Sequence, residues 1–146
     1  MKSLESMLAK AIRIASSEFE DSFDKGGSPY ILHCLWVMDR VRHLGAKYMI
    51  VAVLHDLLED TPWTKERLLE EGFSSEIVDA IVTMTHDEEE EPYEDYIQRI
   101  SLNVISRAVK LRDLEHNSKI TRLKGLRKKD IDRLYKYNKA YMYLSE

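Results

Sequence analysis

Apolar residues recur at three- and four-residue steps over most of the chain, the period of helices buried along one side. Leu4, Met7, Leu8, Ala11, Ile12, Ala15 and Phe19 form the first stripe and predict a helix from residue 3 to about 22. Gly26-Gly27 marks a turn. Ser28 as N-cap and Pro29 at the first helical position predict a second helix. It has His33 near its start and runs through Cys34, Leu35, Trp36, Val37 and Val41 to a stop at Gly45. The third segment has no polar face. Tyr48-Met49-Ile50-Val51-Ala52-Val53-Leu54 is the longest unbroken apolar run, and it leads into His55-Asp56-Leu57-Leu58-Glu59-Asp60-Thr61 before Pro62 stops any helix. Its β-branched residues also suit a buried strand, but no other segment has the pattern of a sheet partner, so it is assigned as helix.

Downstream, Thr64 caps a short helix that ends at Gly72, and Ser74 or Ser75 caps another carrying Ile77, Val78, Ile81 and Val82. Further helices are expected from about Tyr93 to Ile100, Leu102 to Ile120 and Asp130 to Leu144. Few glycines and prolines and no internal repeat or linker complete the picture of an all-α, single-domain helical bundle over residues 1–146.

Composition narrows the function classes. A chain of 146 residues with 44% hydrophobic content can bury a real core. Its net charge of −4 argues against a nucleic-acid binder, which must neutralise many phosphates. No apolar stretch approaches the ~20 residues of a membrane span, and the N-terminus lacks a secretory apolar region. The single Cys34 forms no intrachain disulfide, which suits the cytoplasm, and it reads as a small core residue.

The chemistry centres on the His-Asp stretch. Four ionisable groups follow a segment that must be buried, and burying charge is costly unless something compensates it. A metal ion would. Residues four apart on a helix share a face, which pairs His55 with Glu59 and Asp56 with Asp60. His33 suits either an interior histidine or a ligand. In the later helix, Asp113, Asn117 and Lys110 share a face; the plain alternative is an exposed Lys110–Asp113 ion pair. His116 falls elsewhere on that helix and is left out of the site. His86-Asp87 repeats the dipeptide in a polar loop and reads as solvated surface. After Asn117, Lys119, Arg122, Lys124, Arg127, Lys128 and Lys129 occur with no acid among them, a landing area for phosphates or a solvated face.

Together, Gly27-Ser28-Pro29-Tyr30-Ile31-Leu32-His33, His55 to Thr61, and Val109-Lys110-Leu111-Arg112-Asp113-Leu114-Glu115-His116-Asn117 resemble the HD metal-dependent phosphohydrolase superfamily. The branch they resemble is the hydrolase domain of SpoT/RelA proteins and the stand-alone small alarmone hydrolases. The resemblance implies an HD-type helical bundle in which His33, His55, Asp56 and Asp113 bind one metal, Mn2+ in the family. Glu59 and Asp60 would orient and deprotonate water. Lys25, Asn117, Lys119, Arg122 and Tyr137 would meet a nucleotide. The implied reaction removes pyrophosphate from the 3′ position of guanosine tetra- or pentaphosphate (ppGpp, pppGpp). Another HD-class nucleotide phosphatase and a non-catalytic nucleotide-binding module are the alternatives. The family places arginine where this chain has Asp24, which is expected to pair with Lys25 and repel a phosphate-rich substrate.

Overall fold

The computed structural model describes residues 2–146. It is all-α, and among the described residues no strand forms; a single bridge joins Phe23 to Pro29. The helices are α1 (Leu4–Glu18), α2 (Ile31–Arg40), α3 (Ala46–Leu54), α4 (Leu57–Asp60), α5 (Lys65–Glu70), α6 (Ser75–Thr83), α7 (Tyr93–Ser101), α8 (Val104–Asn117) and α9 (Lys128–Leu144). Short 3-10 turns follow α2 and α8, at Arg42–Leu44 and Ile120–Arg122.

The unbroken apolar run is helical and occupies the centre. Ile50, Val51, Ala52, Val53 and Leu54 are all fully buried, which requires packing on every side, and α1, α2, α6 and α8 supply it. A smaller apolar cluster joins α7, α8 and α9 through Tyr96, Ile97, Ile100, Leu114, Ala140 and Leu144. Helix α8 touches both clusters, so its register is set from two sides. Among the described residues, no helix is long and apolar enough to cross a membrane.

The boundaries differ from the sequence pattern where side chains take backbone partners. The first helix ends at Glu18, earlier than its apolar stripe suggests. The second starts at Ile31, not at Pro29, because Ser28 is held in a loop: its N–H donates to the Asp24 carboxylate and its carbonyl accepts the Asp24 N–H. It stops at Arg40, and the 3-10 turn carries the chain to Gly45, whose φ of 102° lies in the region open to glycine. The expected helix through the His-Asp stretch is two helices. The Ala52 carbonyl accepts both the backbone N–H and the ring Nδ1–H of His55, so the regular helical bond from Asp56 is lost and the axis turns there. Thr64 and Ser74 cap α5 and α6 as expected.

Helix α8 spans residues 104–117 and not 102–120, because Asn103 caps it: its side-chain oxygen accepts N–H bonds from Ile105 at 3.1 Å and Ser106 at 3.0 Å. Asn103→Ala should therefore lower unfolding free energy by about 1 kcal/mol, the usual value of an N-cap. Urea denaturation of the two proteins measures it; equal midpoints would mean that tertiary packing alone holds the start of α8.

Candidate functional site

The loss of the regular bond at Asp56 turns His55 and Asp56 toward one point, and α2 and α8 bring the other residues to it. His33 comes from the first turn of α2 and Asp113 from the last turn and a half of α8. One donor atom from each of His33, His55, Asp56 and Asp113 lies within 4.8 Å of the other three, and the cluster can hold a metal ion. His33 Nε2 is 2.9 Å and His55 Nε2 3.1 Å from the same Asp113 oxygen, and His55 Nε2 is 3.0 Å from Asp56.

The tautomer of His55 makes this set a fit for a cation. Its Nδ1–H donates to the Ala52 carbonyl at 2.6 Å, so in the neutral ring Nε2 carries a lone pair. That lone pair faces the oxygens of Asp56 and Asp113, an arrangement that is repulsive unless a proton or a metal ion lies between them. Burial opposes charging of His55, but the two carboxylates outweigh it and raise its pKa well above the usual value. Asp113 is held well below its usual range by Lys110, His55 and His33 against the opposing effect of burial. A mixed set of two imidazoles and two carboxylates suits divalent transition metals.

Around this set stand Lys110 and Asn117, which the sequence pattern places on the Asp113 face, and two residues that it does not bring to the site, Tyr30 and His116. Lys110 is buried, not part of an exposed ion pair; its Nζ donates to Asp113 at 2.9 Å and lies over the Tyr96 ring. Asn117 donates to the other Asp113 oxygen at 3.0 Å, as the shared face suggests. The Tyr30 hydroxyl donates to Asp56, and burial followed by the Asp56 charge pushes its pKa far up, so it stays a donor. His116 is also part of the site: its Nδ1 is 2.8 Å from His33 Nδ1. Burial, then Arg122 and His33, push its pKa down to about 3, so it is neutral. The i,i+3 step from Asp113 to His116 is the sequence signal for this placement, beside the i,i+4 step to Asn117.

Two clefts meet at these residues. The first, of about 410 Å³, is acidic and contains Asp56, Glu59, Lys110 and Asp113. Glu59 accepts the backbone N–H of His86, and its pKa is raised by burial, with Asp56 adding to the effect. His86 is thus no solvated loop residue: its ring stacks on Tyr96 at 4.5 Å and its Nε2–H donates to the Glu91 carbonyl. Asp60, exposed like Glu59 and with its pKa also raised by burial and then by Asp56, does not line this cleft. The second cleft, of about 300 Å³, is lined by Lys25, Asn117, Lys119, Arg122 and Tyr137, the residues expected to meet a nucleotide, together with Arg133. Tyr30, Asn117 and Tyr137 border both.

No family model matches the chain. Over 72 residues, 47% of its length, it is 42% identical to a guanosine-3′,5′-bis(diphosphate) 3′-pyrophosphohydrolase of Haemophilus influenzae, of which this covers 11%. It is 35% identical over 80 residues to a Spiroplasma citri protein of the same name, covering 53% of the chain and 10% of that relative. A solved structure of a metazoan ortholog of SpoT, described as hydrolysing ppGpp, matches with a TM-score of 0.78 at 19% identity, over 94% of this chain and 84% of the other. The chain resembles the HD-domain ppGpp hydrolases. It shares the all-α fold of the SpoT ortholog, and it spans about a tenth of the length of the curated relatives it matches.

Asp24 departs from the expected role. It does not pair with Lys25; its carboxylate accepts N–H bonds from Gly26 and Ser28 and an ion pair from Arg122 at 3.0 Å. Gly26 sits so close to the Arg122 carbonyl that a Cβ there would lie 2.1 Å from it, so the loop and the turn after α8 are pressed together. An arginine at position 24 would lose all these bonds. Burial alone would raise the Asp24 pKa, but the Ser28 N–H and Arg122 outweigh it and hold it below the usual range. Its contribution to stability is therefore complete above the unfolded-state pKa of about 3.9 and is lost as pH falls through the lower folded value. Asp24→Ala should reduce amide-exchange protection at Gly26 and Ser28 by about tenfold at neutral pH, roughly one hydrogen bond's worth. The difference from wild type should vanish in acid. Unchanged protection at neutral pH would show that Gly26 and Arg122 alone hold the loop.

Proposed function

We propose that this chain is a metal-dependent phosphohydrolase that removes pyrophosphate from the 3′ position of a guanosine polyphosphate. The observation that supports this most is the junction of the two clefts: an acidic one holding a cation-ready cluster and Glu59, continuous at Asn117 with a cationic one large enough for part of a nucleotide. His33, His55, Asp56 and Asp113 would hold the ion, with Mn2+ favoured by the resemblance and Fe2+ and Zn2+ compatible with the same donors. A bound divalent ion acidifies water and polarises a phosphoryl oxygen.

The chain's own residues do the rest. Glu59, anchored by the His86 N–H and shifted toward neutral pH, takes the proton of the attacking water. The water oxygen bonds to the phosphorus next to the ribose 3′ oxygen, that P–O bond breaks, and pyrophosphate leaves while the 3′ oxygen takes up a proton. Asn117 presents its amide to the ribose side; Asp113 and Arg122 fix the amide's orientation. Lys25 and Lys119 meet phosphate, and Tyr137 walls the nucleotide. Arg122 acts through Asn117, since its guanidinium is committed to Asp24, the His116 carbonyl and Asn117. Asp60 does not line the cleft, and its charge adds to the upward shift of the Glu59 pKa. A reducing cytoplasm suits a chain whose single cysteine, Cys34, is a free buried thiol.

The commitment of Asp24 and Arg122 to each other favours one second reading, an HD-class phosphatase for a less charged nucleotide. Purified protein with Mn2+ should release pyrophosphate, not orthophosphate, from guanosine tetraphosphate, and EDTA should stop it. Release from other nucleotides but not from this one would establish the second reading; metal binding without turnover of any nucleotide would make the chain a binding module. Glu59→Gln should lower kcat by about 10²–10⁴ with the metal retained. Loss of metal in that variant would make Glu59 a ligand. Asp60→Asn should cost distinctly less; a loss equal to that of Glu59→Gln would assign Asp60 to the water as well.

A further inference from the structure

Helix α8 holds both edges of the His33 ring. Asp113 lies 2.9 Å from Nε2, and His116, one turn later, lies 2.8 Å from Nδ1. The His33 and His116 rings are nearly coplanar, 15° apart with centroids 5.0 Å apart, so an N–H on one points at the lone pair of the other. The other side of His116 is fixed as well. Its ring stacks on Trp36 at 4.3 Å and 16°, and Trp36 stands one turn after His33 on α2. Lys119 and Arg40 each approach the Trp36 ring to 4.6 Å. Two helices thus clamp one hydrogen bond with two paired steps of three residues: His33 and Trp36 on α2, Asp113 and His116 on α8.

Only one of the two proton arrangements along this bond leaves His33 able to bind a cation. If His116 Nδ1–H donates, the neutral His33 ring carries its proton on Nε2, facing Asp113, and has no lone pair to offer. If His33 Nδ1–H donates, Nε2 is bare and directed into the cluster. We propose that His116 is a positioning residue that accepts the His33 Nδ1–H bond, with its own proton on Nε2, and so holds His33 as an Nε2 ligand. The acceptor is a neutral imidazole held in place by aromatic stacking, where a carboxylate or a backbone carbonyl more often serves a metal-bound histidine. His55 has the backbone carbonyl version in the same site.

This inference rests on the metal site proposed above, and its test separates the two. Mn2+ affinity, measured by competition with a chelator, is compared in wild type, His116→Phe and His116→Asn. Phenylalanine keeps the stack on Trp36 and removes the acceptor; asparagine keeps an oxygen near the place of Nδ1 and removes the stack. His116→Phe should weaken Mn2+ binding about 10- to 100-fold, the usual effect of losing such a partner, and His116→Asn should recover most of it. Equal affinity in His116→Phe and wild type overturns the inference and leaves the metal site standing. Equal losses in both variants overturn it in favour of packing. Wild type that binds no Mn2+ removes the metal reading and this one together. Should neither variant fold, nitrogen NMR of the Zn2+-loaded wild type decides: the inference requires a proton on His33 Nδ1 and one on His116 Nε2. A proton on His116 Nδ1, or ligation of the ion through His33 Nδ1, overturns it.

Discussion

The buried Asp113 carboxylate governs the structure around it. Removing a carboxylate from water costs several kcal/mol even after relaxation, and the cost is offset only when its lone pairs are matched. Here one oxygen meets His33, His55 and Asn117, and the other meets Lys110. These partners come from α2, the end of α3, and α8 itself, so the three helices must hold one relative register for Asp113 to be satisfied. The apolar packing of α3 brings the helices together, but methyl groups tolerate small shifts that hydrogen bonds do not. Ser106 adds a fixed point of the same kind: its hydroxyl donates to the Ala80 carbonyl across to α6, two turns before Asp113 on α8. The result is polar groups that select one arrangement among the many that an apolar interface would accept.

Charge is sorted on either side of this point. Asp56 and Glu59 face one cleft and Lys25, Lys119 and Arg133 the other, with Asn117 and the two tyrosines between. The cationic cleft is less positive than its residues suggest, because Arg122 pairs with Asp24 and Arg133 with Asp130. Lys25 stands close to Arg133, Lys129 and Arg127, and burial followed by these charges lowers its pKa. Cations crowded in this way gain from an anion that neutralises several of them together, and a diphosphate does so more fully than an isolated carboxylate.

Much of this was legible in the chain. The helical period located the helices, and the unbroken run from Tyr48 to Leu54 identified the central one, since a helix with no polar face must be enclosed. The grouping of His33, His55, Asp56 and Asp113 followed from the burial of charge and from resemblance. Less legible was anything set by a side chain taking a backbone group. The split between α3 and α4 comes from the His55 ring occupying the Ala52 carbonyl, and the late start of α2 comes from Asp24 occupying the Ser28 N–H. Neither bond has a period, and both look in sequence like ordinary polar residues near a turn.

His86 and His116 show the same limit from another direction. Flanking residues made His86 look solvated, because acidic residues follow it directly. Its place is decided by Tyr96, ten residues away on α7, which offers a flat face for the ring and a hydroxyl for the Met84 carbonyl. Those contacts hold the backbone N–H of His86 where it meets Glu59. The residue therefore acts through its main chain, and its side chain serves as the anchor, so its chemistry cannot be inferred from imidazole chemistry at all. For His116 the relevant neighbour was closer, three residues from Asp113, but a helix offers steps of three and four with equal geometric right. Which step matters depended on Trp36 on another helix, whose ring fixes the plane of His116 and thereby gives its lone pair a direction. In both cases an aromatic ring, itself without reactive chemistry, determines what a nearby polar group is able to do.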